Sequence, residues 1–224
     1  MTDPLDFIRL HMALECVGID DQNQLIRIPG DNPDTLHRVY LARHDRGDSL
    51  FFRAGVPQAT RKKLAHLHMA DFFESPARVT AILEADAPVT EQHVGKSYVF
   101  PESVAVARYP GVVRLSQLDP ALVQAYDPEL TLAGREVFGI LEDGQIVSTC
   151  ESSRENAAAG EAWVRTLEAY RRRGYARLVT GAWAQDLMLR GKTPFYSHRW
   201  ENLASQAVAQ SLGLIQYIAD AGYA

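Results

Sequence analysis

The chain has 224 residues and 24.9 kDa, with 46% apolar and 23% charged residues, enough for one large or two small globular domains and too apolar for a disordered chain. Its 15 Gly, 11 Pro and 2 Cys exclude a collagen-like repeat and a disulfide scaffold, and Cys16 and Cys150 fit a reducing, cytoplasmic setting. A net charge of -5 and a pI near 5.8 argue against a broad electrostatic grip on nucleic acid, so any basic site must be local.

The opening residues are interrupted by Asp3, Asp6, Arg9, His11 and Glu15, which fits neither a signal peptide nor a membrane span, so no membrane partner is expected. Ten of the eleven prolines lie within the first 128 residues, which divides the chain into parts of different character. A boundary near Pro110-Gly111 gives an α+β region over 1–110 and a second domain over 111–224. In the first, Leu36 to Arg43 and Ser49 to Arg53 flank the turn-forming Asp45-Arg46-Gly47-Asp48, a hairpin pattern. Ala59 to Phe73 places Leu64, Leu67, His68 and Phe72 on one helical face. Pro76 to Pro120, punctuated by proline, reads as short strands and loops.

In the second part, Glu136 to Leu141 and Gln145 to Glu151 are strand-like runs around Asp143-Gly144, the signature of a type I′ hairpin. Ala157 to Gly160 reads as a flexible loop and Ala162 to Leu167 as a third strand. After Arg171-Arg172-Arg173-Gly174-Tyr175-Ala176 a helical run repeats Ala176, Val179, Trp183 and Leu187, stopped by Arg190 and Gly191. Pro194 to His198 follows as a strand. Asn202 is a good N-cap for a helix through Ser211 with Leu203, Ala207, Val208 and Leu212 inward, and Gly213 ends it. Leu214 to Ala219 is a strand covered on both sides.

The junction that carries chemistry is the third strand running through the arginine–glycine turn into the long helix. A helix N-terminus presents unpaired N–H groups and the positive end of its dipole, an anion site suited to phosphate. Gly174 removes a Cβ where backbone must approach a ligand, Ala176 is small, and the three arginines add local positive charge. Elsewhere, His66 and His68 face different directions with no second ligand cluster, so no metal is expected. Cys150 reads as a core residue.

Arg171, Gly174 and Ala176 resemble the pyrophosphate-loop pattern of the GNAT superfamily of N-acetyltransferases: Arg or Gln, two residues, Gly, one residue, Gly or Ala. Val164 to Arg171 is similar to the family's central strand and its exit, with Glu168 where proline is common. Pro194 to Ser197, Asn202 to Ser205 and Leu212 to Leu214 resemble the strand, helix and closing strand that follow. The likeness covers Val112 to Ala224, and Gly95 to Pro101 is similar to a segment of some relatives. It implies an α/β fold of GNAT type, with a mixed, splayed sheet and packed helices preceded by the α+β region.

The resemblance further implies that Val164, Arg165 and Thr166 pair with the pantetheine arm of acetyl-CoA like an added strand. The diphosphate would be wrapped by Arg171, Arg172, Arg173, Gly174, Tyr175 and Ala176, with Asn202 and Ser205 near the arm. The expected activity is acetyl transfer from acetyl-CoA to a primary amine of a small molecule by direct attack, with the first hundred residues building the acceptor side. An ammonium must lose its proton to attack, which makes Glu161, Glu151 and His198 the candidate bases. Relatives place a tyrosine acid seven residues beyond the asparagine, where this chain has Ala209. Ser205, Tyr196 and Tyr217 are the substitutes available, and Tyr98, Phe100 and Trp163 could line an acceptor pocket. The rival readings are a non-catalytic acetyl-CoA sensor and, more weakly, RNA binding through Arg171 to Arg173.

Overall fold

The computed structural model describes residues 3–29 and 36–224. In chain order the elements are α1 (Pro4–Met12), β1 (Val17–Ile19), β2 (Gln24–Arg27), β3 (Val39–His44), β4 (Gly47–Arg53), α2 (Gln58–Ala65), α3 (Asp71–Glu74), α4 (Pro76–Leu83) and β5 (Gln92–Val99). They continue with α5 (Ser103–Val106), β6 (Val112–Arg114), α6 (Pro120–Tyr126), β7 (Phe138–Glu142), β8 (Gln145–Glu155), β9 (Ala159–Thr166), α7 (Tyr175–Leu189), β10 (Thr193–Arg199), α8 (Leu203–Ser211) and β11 (Ile215–Tyr223). Two compact units result. One takes the described residues up to Ser97 with Ser197–Asn202 and Gln216–Ala224; the other takes Tyr98–Tyr196 with Leu203–Ile215. The chain therefore passes between units inside β5, β10 and β11 and again between Asn202 and Leu203, just ahead of α8. No described helix is long and apolar enough to cross a membrane.

In the first unit the strands run in the order β1-β2-β4-β3-β11, with β3 antiparallel to both β4 and β11 and β2 parallel to β4. The β3–β4 hairpin turns at Asp45-Arg46, as the turn residues require. Its core is formed by Val39, Leu41, Leu64, Phe72, Val79, Leu83, Ala221 and Tyr223, all 0% exposed. Two sequence expectations are corrected here. The helix expected over Ala59 to Phe73 breaks after Ala65 and resumes at Asp71, yet Leu64 and Phe72 both reach the same core. The segment after Pro76 is helical at first, because Pro76 stands at the first helical position, where its missing N–H costs nothing, and Val79 and Leu83 then share one buried face.

The second unit orders its strands β10-β9-β8-β7-β6, with β9 and β10 parallel and the remaining neighbours antiparallel. Asp143 (φ 50°) and Gly144 (φ 77°) give the hairpin between β7 and β8 the two left-handed residues of a type I′ turn. Against the sheet lies α7, which buries Val179, Trp183 and Leu187 on one face; each large side chain removed from water contributes about 1.5–3 kcal/mol. Arg190 caps α7, and Gly191 (φ 73°) takes the chain out of the helix. The core also holds Tyr98, Phe100, Phe138, Cys150, Tyr196 and Ala209. Burial pushes the Cys150 thiol up, which leaves it an inert core residue. Two local expectations fail. Ala157 to Gly160 is no free loop, since Ala159 is fully buried and opens β9; Leu203 faces outward at 72% exposure while Ala209 and Leu212 turn in.

Candidate functional site

The strand β9 pairs along its length with β8, but its parallel pairing with β10 spans only Thr193↔Ala159, Pro194↔Gly160 and Phe195↔Glu161. It stops before Tyr196 and Ala162, so from Ala162 to Thr166 β9 has a ladder on its β8 side alone. Main-chain groups alternate sides along a strand. The Ser148 hydroxyl donates to the Arg165 carbonyl at 3.2 Å and the Leu167 amide to the Val147 carbonyl at 2.9 Å, so those two residues face β8. Val164 and Thr166 therefore turn their N–H and C=O groups to the open edge. That edge is about 13 Å long at about 3.3 Å per residue.

Beyond this unpaired stretch the chain makes a short turn over Glu168–Tyr170 and enters α7 through Arg171 to Gly174, all four exposed. Arg172 has φ 62° and Gly174 has φ 84° with ψ 0°. Successive backbone residues of alternating hand can gather their amides into a concavity that suits an anion. The first amides of α7 follow at once and have no acceptor inside the helix. A Cβ built on Gly174 would meet no atom within 4 Å, so its backbone fronts open space. Arg171 donates to the Thr166 carbonyl at 3.3 Å, and Arg173 lies 4.9 Å over the Tyr170 ring and donates to the Ala169 carbonyl. The Tyr175 hydroxyl bonds to Glu142, which leaves only the amide of Tyr175 for an anion.

Two carboxylates stand on the sheet face opposite α7. Glu161 closes the paired part of β9; its side chain is 7% exposed and meets Arg154 at 3.3 Å. Glu151, opposite Trp163 on β8, is equally buried and lies 2.6 Å from Arg135. Burial pushes the Glu151 carboxyl up, against the charge of Arg135 and with a small addition from Asp127. Trp163 is 46% exposed, whereas Tyr98 and Phe100 belong to the core. On the same face Arg165 lies 5.3 Å over the Tyr126 ring, and the Tyr126 hydroxyl meets Thr149 at 3.0 Å. Sequence reasoning missed the arginine partners and Tyr126, because only the register places them beside residues so distant in the chain.

The remaining candidates divide between the units. Ser205, half-buried on α8, lies beside Tyr196 in the second unit. His198 and Asn202 fall in the first, where His198 is buried and bonded through Nδ1 to the Arg199 carbonyl at 2.9 Å. Tyr217, also in the first unit, shares a hydrogen bond between its hydroxyl and His11 Nδ1 at 2.5 Å. Among the described residues no group of three or more His, Cys, Asp or Glu could hold a metal.

Residues 137–220 match the GNAT acetyltransferase family model. No functionally curated protein matches the sequence. Among solved structures, the chain is similar to an acetyltransferase from the GNAT family of Colwellia psychrerythraea, with 10% identity, 92% of this chain and 79% of that one covered, and a TM-score of 0.50. A putative GNAT-family acetyltransferase of Novosphingobium aromaticivorans is 21% identical over 60% of this chain at a TM-score of 0.45, and the match spans 65% of that protein's length. A GCN5-related N-acetyltransferase-like protein of Streptococcus suis is 16% identical over 88% of this chain and 87% of that one, at a TM-score of 0.44. Residues 137–220, which match the GNAT acetyltransferase family model, contain both the break in the β9–β10 register and the arginine–glycine turn into α7.

Proposed function

We propose that this chain transfers an acetyl group from acetyl-CoA to a primary amine of a small molecule by direct attack. The observation that carries the reading is the β9 edge, open from Ala162 to Thr166 and leading to the Arg171–Gly174 turn. Val164 and Thr166 would hydrogen-bond the pantetheine arm as a missing strand would, and the amides from Arg172 to Ala176 would take the diphosphate. The thioester would lie near Ala162, where the unpaired stretch of β9 begins, next to Glu161. Glu161 takes the first proton of the ammonium; the amine nitrogen bonds to the thioester carbonyl carbon, the C–S bond breaks with its electron pair on sulfur, the nitrogen gives up its second proton to solvent, and solvent protonates the departing thiolate. Glu151, one strand away, would act on the acceptor's approach. Two free, buried cysteines support a reducing, cytoplasmic location.

Ala209, where relatives carry tyrosine, favours the rival reading of a non-catalytic acetyl-CoA sensor. One experiment separates the two. The native protein is expected to bind acetyl-CoA in calorimetry and to release free thiol when small amines are added; binding without thiol release with any amine leaves the sensor. Gly174→Val places a β-branched residue at φ 84° and so displaces the turn without filling a packed space. The variant should keep its fold and lose acetyl-CoA affinity by more than about tenfold, or about 1.4 kcal/mol. Unchanged affinity would remove the assigned anion site.

A further inference from the structure

We infer that the amine acceptor is an aminocarboxylate, its two charges held apart by an apolar or aromatic body, and that Arg165 receives the carboxylate, an assignment that rests on the acyl-transfer reading above. Ala162 and Val164 pack into the core that contains the buried face of α7, so that side of β9 is closed. On the opposite side, the cluster of Leu115, Val123, Val137 and Ile146, with Tyr126 of α6 packed against it, covers the β7–β8 hairpin. An amine approaching a thioester at Ala162 therefore comes over β9 itself. There Glu161, Trp163 and Arg165 alternate along the strand, each about 6.6 Å from the next. The row runs from a buried carboxylate, past an indole 46% exposed, to an exposed guanidinium.

The cations on this face are unequally engaged. Arg154 lies against Glu161, and Arg135 lies 2.6 Å from the buried Glu151. Arg165 is held more loosely. Only its Nη1 donates, to Asp127 at 3.4 Å, and Nε and Nη2 have no acceptor among the described residues. The guanidinium lies over the Tyr126 ring, and the Tyr126 hydroxyl is tied to Thr149, so the plane of the fork is set in advance. The edge formed by Nε and Nη2 is the one that takes a carboxylate through two parallel hydrogen bonds. Glu151 and Glu161 repel that carboxylate from the other end of the row, which orients the acceptor with its amine toward Glu161. Trp163 offers a flat apolar surface for the body between. The ends of the row lie four residues apart, about 13 Å along the strand. An α-amino acid, with both charges on one carbon, is too short for it.

Two pairs of amines test the assignment: 4-(aminomethyl)benzoate against benzylamine, and 6-aminohexanoate against hexylamine. In initial rates of thiol release from acetyl-CoA, the native protein should favour each aminocarboxylate over its partner by about 10–100-fold in kcat/KM, the worth of hydrogen bonds to a charged group. Arg165→Met removes the charge and keeps most of the length, and should bring both ratios close to one, mainly through KM for the aminocarboxylate. Arg165→Lys keeps the charge without the side-on pair and should fall between. The Arg165 side chain is 45% exposed, so both variants should melt as the native protein does in circular dichroism. Ratios near one on the native protein, ratios that persist in Arg165→Met, or acetyl-CoA binding without turnover of either aminocarboxylate would overturn the acceptor assignment alone. A native protein that does not bind acetyl-CoA would overturn the acyl-transfer reading and this assignment together.

Discussion

At the scale of single residues, an ammonium ion cannot attack a thioester, so a site for this reaction needs a proton acceptor at the point where the acyl carbon is presented. In the proposed reaction Glu161 would meet that requirement by position: it is the last β9 residue paired with β10, and its carboxylate lies 3.3 Å from the Arg154 guanidinium. Glu151 sits a strand further away and is gripped at 2.6 Å by Arg135. Geometry comes before pKa in choosing a base. Glu161→Gln, which keeps size and hydrogen bonding, is therefore expected to lower kcat/KM about 10²–10⁴-fold. Acetyl-CoA affinity should not change. Glu151→Gln should cost less, and its losses should appear mainly in KM for the amine. Initial rates across an amine series measure both, and a larger kcat loss in Glu151→Gln would reverse the assignment.

Among elements, β8 and α7 are fastened at their far ends by Glu155, which accepts from Arg190 at 2.6 Å, Lys192 at 2.7 Å and Ser152 at 2.6 Å. Burial alone would raise this carboxyl, but the three donors outweigh it and hold it at about 2. A carboxyl depressed on folding contributes stability that is complete above its unfolded value of about 4.3 and is lost as pH falls toward 2. Glu155→Gln should lower Tm at neutral pH by several degrees, for a loss of about 1–2 kcal/mol. The difference from the native protein should shrink between about pH 4.3 and 2. A constant difference across that range would show that the ionised form contributes nothing.

How far such elements could be read from the residues depended on whether the signal was local. Asp143-Gly144, the Arg171–Gly174 turn and the Gly191 stop were legible because each depends on φ at one or two positions. The break after Ala65 was hidden because Leu64 and Phe72 reach one core from two helices, so the apolar spacing continues through the kink. Pro76 was misread because the same residue starts helices and interrupts strands. In the candidate site, the arginine–glycine turn was visible as a contiguous motif. Glu161 could be named as one of three candidate bases, but only the register of β9 against β10 places it at the end of their paired stretch.

On the scale of the whole molecule, the division into two units does not coincide with a division of the chain. The terminal strand β11 finds its ladder on β3, with Ala219↔Arg43 through Tyr223↔Val39, and it buries Ala221 and Tyr223 completely beside Leu64, Phe72 and Leu83. The Tyr223 hydroxyl donates to the Phe72 carbonyl at 2.7 Å inside that core. The second unit, in turn, takes Tyr98, Phe100 and Val104 from before residue 110 into its own core. A fragment of residues 111–224 would contain the family match but would leave β11 without its strand partner and the second core without three of its side chains. Each large side chain withdrawn costs about 1.5–3 kcal/mol, against a total stability of about 5–15 kcal/mol for an ordinary domain. The fragment should therefore fail to give a cooperative thermal transition in circular dichroism and should elute as aggregate. The full chain should melt cooperatively, with a Tm that rises with acetyl-CoA by about 2.7 kcal/mol of stabilisation at a hundredfold excess over Kd. A soluble fragment with a sharp transition and native acetyl-CoA affinity would show that the two cores are independent, and that β11 does not need β3 to fold.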